Sequence, residues 1–208
     1  LLIIVPLPVG LIQTNCYIVG CEETREGAVI DPGGDPERIL AEVEAHGLTI
    51  KYVLNTHAHF DHTDANGALV EATGATLALH PGDRRLLEMS GGAALFGLEA
   101  EPSPPPTLAL HDGDELAMGK LRFRVLHTPG HTPGHVCFYE PDEGVLFDGD
   151  VLFYRGVGRT DLPGGNWTQL MDSIRRVLFR LPDETVVLSG HGPGTTIGEE
   201  KRLNPWLR

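Results

Sequence analysis

The chain has 208 residues, 41% hydrophobic and 22% charged, a globular composition that excludes disorder, collagen or coiled coil for the chain as a whole. Acidic residues outnumber basic ones 29 to 16, and the formal charge of −13 makes nucleic acid and anionic membrane poor partners. Cys16, Cys21 and Cys137 form no Cys-x-x-Cys pair and read as inert thiols of a reducing compartment, whereas ten histidines stand out as candidate metal or acid–base groups.

The run Leu1 to Ile12 is apolar but carries Pro6, Pro8 and Gly10. It reads as kinked strand, with neither the basic head of a targeting signal nor the ~20 apolar residues of a membrane span, so a cytoplasmic location is expected. Strands are expected at Asn15–Gly20 and Ala28–Ile30, the second stopped by Asp31-Pro32-Gly33-Gly34. Asp35 is expected to cap a helix with Pro36 at its first position, Ile39, Leu40 and Val43 on its apolar face, and Gly47 at its end. A strand at Ile50–Leu54, a helix at Asp64–Thr73 and a strand at Ala75–Leu79 continue an α/β alternation. Residues 90–106, rich in Gly and Pro, read as a long loop, preferred as an excursion bordering a site over a domain linker. Short strands follow at Asp114–Met118, Leu121–Leu126, Val136–Tyr139 and Val145–Phe147. The longest amphipathic helix is expected at Trp167–Leu181, with Pro182 ending it and Thr185–Leu188 as the last strand.

The strongest chemical signal is Asn55-Thr56-His57-Ala58-His59-Phe60-Asp61-His62, between a predicted strand and a predicted helix. In extended chain, residues two apart point the same way, so His57 and His59 can reach one ion. Asp61 and His62 lie where the chain turns into the helix and can face a second point nearby. Three more segments place a ligand-type residue just after a strand: Thr128-Pro129-Gly130-His131, Asp148-Gly149-Asp150 and Ser189-Gly190-His191-Gly192. Each is weak alone; together they support one another.

With these motifs in hand, the chain resembles the metallo-β-lactamase superfamily and, within it, the glyoxalase II-like thioester hydrolases. The resemblance runs from Asn15-Cys16-Tyr17 and Ile30-Asp31-Pro32-Gly33-Gly34 to Asn204-Pro205. Gly149-Asp150-Val151-Leu152-Phe153, Gly158-Arg159-Thr160-Asp161 and Gly190-His191-Gly192-Pro193 are most similar to the short, one-domain bacterial branch. It implies an α/β (α+β) fold, a four-layer αβ/βα sandwich of two mixed sheets, formed by one domain over 1–208. Carried over by position, it implies His57, His59 and His131 on one metal, Asp61, His62 and His191 on a second, and Asp150 bridging both. Two divalent ions are implied, zinc first, iron or manganese as alternatives, and no cysteine position calls for a soft ion.

The implied reaction is hydrolysis of a small-molecule acyl thioester by hydroxide bridging the two ions, with Asp61 orienting it. No Gly-x-Ser-x-Gly elbow is present, which disfavours an α/β-hydrolase triad. Arg159 stands where the family has a basic glutathione contact, although Asp161 and Pro193 replace tyrosines and only about 17 residues follow His191, too few for the helical domain of two-domain relatives. Arg159 is expected to anchor a substrate carboxylate, the alternative being a surface ion pair with Asp161. Asp31 reads equally as support for the metal loop or as a turn residue. His127 and His135 flank the His131 loop and read as packing or as support; His46, His80 and His111 read as bystanders. Competing activities are a persulfide dioxygenase-like iron oxidoreductase and another hydrolase of the superfamily, such as a lactonase. The sequence leaves the oligomeric state open.

Overall fold

The computed structural model describes all 208 residues. Its first sheet takes β1 (Leu2–Val9), β2 (Thr14–Cys21), β3 (Glu26–Ile30), β4 (Thr49–Leu54), β5 (Thr76–Leu79) and β6 (Leu108–Ala109), side by side in that order. β1 to β3 are antiparallel and β3 to β6 parallel, so the sheet is mixed. β1 is an edge strand. Pro6 and Pro8, two residues apart, turn their missing donors to one side, which an edge strand leaves unpaired.

The second sheet takes β7 (Glu115–Met118), β8 (Leu121–His127), β9 (Val136–Glu140) and β10 (Val145–Gly149). A small ribbon of β11 (Leu152–Phe153) and β12 (Gly156–Val157) stands apart from it. β13 (Val186–Ser189) and β14 (Thr195–Thr196) complete the sheet, in the order β14-β13-β10-β9-β8-β7, with only β10 and β13 parallel. The helices are α1 (Pro36–Ala45), α2 (Phe60–Thr63), α3 (Asn66–Thr73), α4 (Arg84–Glu88), α5 (Trp167–Arg176) and α6 (Ile197–Leu203).

Strand alternation makes the layers. Along β2, Tyr17, Val19 and Cys21 pack with Phe123, Val125, Phe138 and Phe147 of the other sheet. Cys16 and Ile18, pointing the other way, pack with Ile39 and Val43 of α1 and Leu69 of α3. On the far side, Cys137, Tyr139, Leu146 and Val187 pack with Leu170, Met171 and Ile174 of α5 and Ile197 of α6. The order is therefore helix, sheet, sheet, helix: the αβ/βα sandwich of two mixed sheets expected from the sequence. Each fully buried side chain of this kind contributes about 1.5–3 kcal/mol. The three cysteines are buried and unpaired, and no helix is long and apolar enough to cross a membrane.

Several local expectations are corrected. Asp35 does not cap α1: it adopts a left-handed conformation (φ 50°), and its carboxylate accepts from Gly10 N–H and from Arg38 instead. The helix expected at Asp64–Thr73 is α3, starting two residues later at Asn66, and a separate short helix that was not expected, α2, precedes it and carries Asp61 and His62. The helix expected to reach Leu181 ends at Arg176, where Val177 leaves helical geometry (φ −111°, ψ −66°), and a 3-10 turn follows at Leu178–Arg180. Residues 90–106 are not wholly a loop, since Ser90–Phe96 winds into 3-10 turns kinked at Gly91 and Gly92.

Candidate metal centre

The seven candidate ligands lie on segments that follow the C-terminal ends of strands, and the two sheets contribute jointly. β4 leads into His57 and His59, and α2 carries Asp61 and His62; β8, β10 and β13 lead into His131, Asp150 and His191. Strand ends packed on both faces are rigid platforms, so side chains distant in sequence converge.

Three groups of potential ligand atoms lie within 4.8 Å of one another: His57, His59 and His131; Asp61, His62 and His191; and His57, His62 and Asp150. His59 Nδ1 and His131 Nε2 are 2.9 Å apart. His191 Nε2 and His62 Nε2 lie 3.2 and 3.4 Å from Asp61 Oδ2. Asp150 stands between the groups, Oδ1 3.5 Å from His62 Nε2, and Oδ2 3.6 Å from His131 Nε2 and 3.5 Å from His191 Nε2. All seven positions named from the sequence for metal binding are thus within one cluster.

Buried polar atoms need partners. Yet His57 Nε2, His62 Nε2 and Asp150 Oδ1 are buried with no hydrogen bond. Three orphaned acceptor or donor atoms, all turned into one cluster of imidazoles and carboxylates, match the donor set of a borderline divalent cation. The residues present therefore fit the metal that the motifs imply.

The surrounding hydrogen bonds set ring tautomers. His131 Nδ1 donates to the Arg159 carbonyl at 2.7 Å, which leaves the Nε2 lone pair facing the cluster. His62 Nδ1 donates to Asp31 Oδ2 at 3.0 Å with the same effect. Asp31 also accepts from Thr56 N–H and Thr56 Oγ1, both at 2.7 Å, so it pins the segment that presents His57. It does so from a left-handed conformation (φ 52°) that Asp tolerates better than most residues. Asp31 is thus support for the site as well as a turn residue. His135 is support too: its Nε2 accepts from Asp150 N–H at 3.1 Å, and its ring stacks on His57. His127 instead bonds Pro133 O and stacks on His80, and His46 lies on α1's end; neither joins the cluster.

Charge compensates charge here. Burial pushes His57 well below the ordinary imidazole range, and His59 to about 3, with neighbouring imidazoles adding to it. For His62 burial acts downward but Asp61, Asp150 and Asp31 outweigh it, and its pKa is raised well above the usual value. His191 reaches about 9 the same way, through Asp150 and Asp61. Burial opposes ionisation of Asp61, yet His62 and His191 hold it at about 2. Protons on imidazoles thus offset two buried carboxylates, and a divalent cation would displace them.

Close approach explains two motif glycines. A Cβ on Gly33 would strike the Asp61 carbonyl, and one on Gly190 would meet Asp150 Oδ1 and the His62 ring.

Sequence reasoning missed four holders. Thr14 Oγ1 donates to Asp61 Oδ2 at 3.0 Å. Asp83, nearly fully buried, accepts from Ala58 N–H (3.1 Å), Thr132 Oγ1 (2.6 Å) and Gly134 N–H (2.6 Å), so one carboxylate joins the His57–His59 and His131 loops. Asn15 Nδ2 donates to Ser189 O and Gly192 O, and Tyr17 OH to Ser189 O, fastening the His191 loop to the first sheet. Only the last pair had a signal, since Asn15-Cys16-Tyr17 was part of the family resemblance.

The cluster floors a cleft of about 400 Å³ whose lining includes Ile12, Phe96 and Arg159. Arg159 is there as expected, but its guanidinium is bidentate to Asp161 at 2.7 and 2.8 Å.

An αβ/βα sandwich with a His/Asp cluster at the strand ends defines the metallo-β-lactamase class of protein. The chain belongs to the metallo-beta-lactamase superfamily, whose family model matches residues 9–191. It is 40% identical to the Haemophilus influenzae protein named hydroxyacylglutathione hydrolase GloC, covering 97% of this chain and 96% of that one. Among solved structures it is similar to BLEG-1 B3 metallo-beta-lactamase (41% identity, TM-score 0.93, 99% of both chains). It is also similar to TTHA1623 in a di-iron-bound form (45%, TM-score 0.89, 98% of this chain and 100% of that one). ETHE1 from Myxococcus xanthus follows (39%, TM-score 0.81, 98% of this chain and 83% of that one). These names differ, so likeness gives a superfamily of mainly metal-dependent hydrolases, and the substrate has to be argued from the site.

Proposed function

We propose that the chain, acting as one catalytic domain in the cytoplasm, is a binuclear metal-dependent hydrolase of small-molecule acyl thioesters, similar in activity to hydroxyacylglutathione hydrolases. His57, His59 and His131 would hold one ion, Asp61, His62 and His191 the other, and Asp150 both; zinc suits the set, and iron or manganese would fit it too. The observation that carries this reading is the position of Asp150, whose Oδ2 lies 3.6 Å from His131 of one group and 3.5 Å from His191 of the other, with Oδ1 3.5 Å from His62. The name and near-complete overlap of the Haemophilus influenzae relative support the thioester.

Bound there, two divalent ions would polarise an acyl carbonyl and make water nucleophilic near neutral pH. The chain's own groups do the rest. Asp61, steadied by Thr14, borders the cleft floor and takes the proton that the attacking water gives up. The flanking apolar side chains exclude bulk water from the reacting carbonyl. A thiol leaves as thiolate, with an ordinary pKa of about 8.5, so no separate general acid is required. Arg159 contacts the substrate's outer part, meeting a carboxylate only by exchange with Asp161.

A persulfide dioxygenase-like oxidoreductase with one iron is the second reading, supported by the segment Gly158-Arg159-Thr160-Asp161. One experiment separates the two: metal quantified on the sample used for an anaerobic panel of thioesters, a lactone and a β-lactam and for a parallel aerobic oxygen-uptake assay on a persulfide. The expected result is close to two ions per chain with thioester turnover. A single iron with oxygen uptake on a persulfide would overturn it.

A further inference from the structure

We propose that the cleft selects thioesters with an apolar acyl group, aromatic or branched aliphatic, over those with a small hydroxyacyl group; this rests on the thioester reading above. Above the polar floor the walls are Ile12, Phe60, Phe96, Phe153, Val157 and Leu162. They come from separate parts of the fold: the β1–β2 turn, α2, the 3-10 segment before Gly97, the β11–β12 ribbon and the chain after it. Phe60 and Phe96 face each other across 5.9 Å, and Phe153 stands 6.3 Å from the His191 ring.

These walls are open to water at a cost. Ile12 is 46% exposed and Phe96 47%, and their chain neighbours Leu11 and Leu95 are 80% and 59% exposed. Tyr154, next to Phe153, is half exposed as well. Single exposed apolar residues need no explanation, but several gathered around one polar floor mark a surface that something apolar covers.

Electrostatics point the same way. Arg159 is the one Lys or Arg among the lining residues, and Asp161 already neutralises it through two hydrogen bonds. An anionic substrate finds no free cation on the walls of a protein with a formal charge of −13. On this proposal the carbonyl sits at the floor and the acyl half against these walls, and a cavity of about 400 Å³ holds a group of that size. A longer thiol carrier leads out past the rim.

The test compares thioesters of one thiol, from 2-hydroxypropionyl through hexanoyl to phenylacetyl, on the metal-loaded wild type and on Phe96→Ala and Ile12→Ser, both at exposed positions where folding is not in question. The wild type is expected to favour the apolar acyl groups by about tenfold or more in kcat/KM, the discrimination a hydrophobic pocket supplies. In each variant the ratio of phenylacetyl to 2-hydroxypropionyl kcat/KM should fall, by about tenfold for Phe96→Ala. Turnover with equal or better use of the 2-hydroxypropionyl ester, or ratios unmoved by both substitutions, overturns this inference alone. No turnover of any thioester overturns the thioester reading and this inference with it.

Discussion

Around His57, His59 and His131 every side chain is buried, all three donors are imidazoles, and one internal carboxylate, Asp83, bonds both loops that carry them. Around Asp61, His62 and His191 the donors are mixed, His191 is 31% exposed, and its loop is fastened by Asn15 and Tyr17 from the first sheet and by Ser189 Oγ to Leu152 O and Gly190 N–H to Gly149 O on the other side. Both groups take ligands from the two sheets, but in the first one buried carboxylate bonds both contributing loops, whereas in the second the partly exposed His191 loop is held by separate hydrogen bonds. The contrast predicts two metal positions of unequal grip, the second emptied first. Both groups border the open cleft where a substrate must enter, the first through His59 and His131 and the second through Asp61 and His191.

The largest effect should come from removing what the two groups share. Asp150→Ala leaves His62, His131 and His191 facing no common carboxylate. Loss of both ions and a fall in turnover of about 10³-fold are expected, since Lewis-acid stabilisation is worth several kcal/mol. Elemental analysis beside steady-state kinetics checks it, and normal turnover would refute the shared role.

Asp83→Ala should rank next. It strands Ala58 N–H, Thr132 Oγ1 and Gly134 N–H in the interior, and supports of this kind are worth roughly 10–100-fold in metal affinity. Chelator titration should show the more tightly held ion weakened, which would erase the inequality between the groups. If only the weaker ion responds, the assignment of Asp83 to the all-imidazole group is wrong.

Tyr17→Phe acts on the other side of the comparison. It removes one of two donors from the Ser189 carbonyl, which keeps Asn15 Nδ2, so the loss is that of one hydrogen bond, about 0.5–1.5 kcal/mol. The weaker ion should dissociate about tenfold more readily, with the tighter one unmoved, so the inequality widens. An equal change in both would mean that Tyr17 supports the fold generally.

How much of this was legible beforehand differs between the two groups for a physical reason. The sandwich layers could be read because alternation along β2 and the helical spacing of Leu170, Met171 and Ile174 are local signals. His57, His59, Asp61 and His62 were legible because they share one short segment. Thr14 and Asp83 were not, since a threonine at a strand start and an aspartate after a Pro-Gly turn look like ordinary surface punctuation until the fold brings them beside Asp61 and Ala58. Asp35 misled for the converse reason: its position satisfies the capping rule, but Gly10, distant in sequence, competes for its carboxylate and wins.

The smallest expected effect lies at the cleft's edge and bears on what the weaker group meets. Arg159 donates to Asp161 through both Nε and a terminal nitrogen, and the two side chains are 52% and 68% exposed. Solvent screens an exposed pair of this kind so that it is worth little, and a substrate carboxylate gains little more by displacing Asp161 than Asp161 loses. Arg159→Ala should therefore raise KM for an acidic thioester by only a few-fold more than for a neutral one, with kcat barely moved because the guanidinium does not reach the floor. Asp161→Ala should do the reverse, freeing the guanidinium and lowering KM for the acidic ester. If Arg159→Ala leaves the acidic-to-neutral ratio untouched, Arg159 is only a surface ion pair and recognition rests on the apolar walls. If it changes the ratio a hundredfold, the exchange with Asp161 is far easier than the bidentate geometry implies, and the anionic half of the substrate would dominate binding.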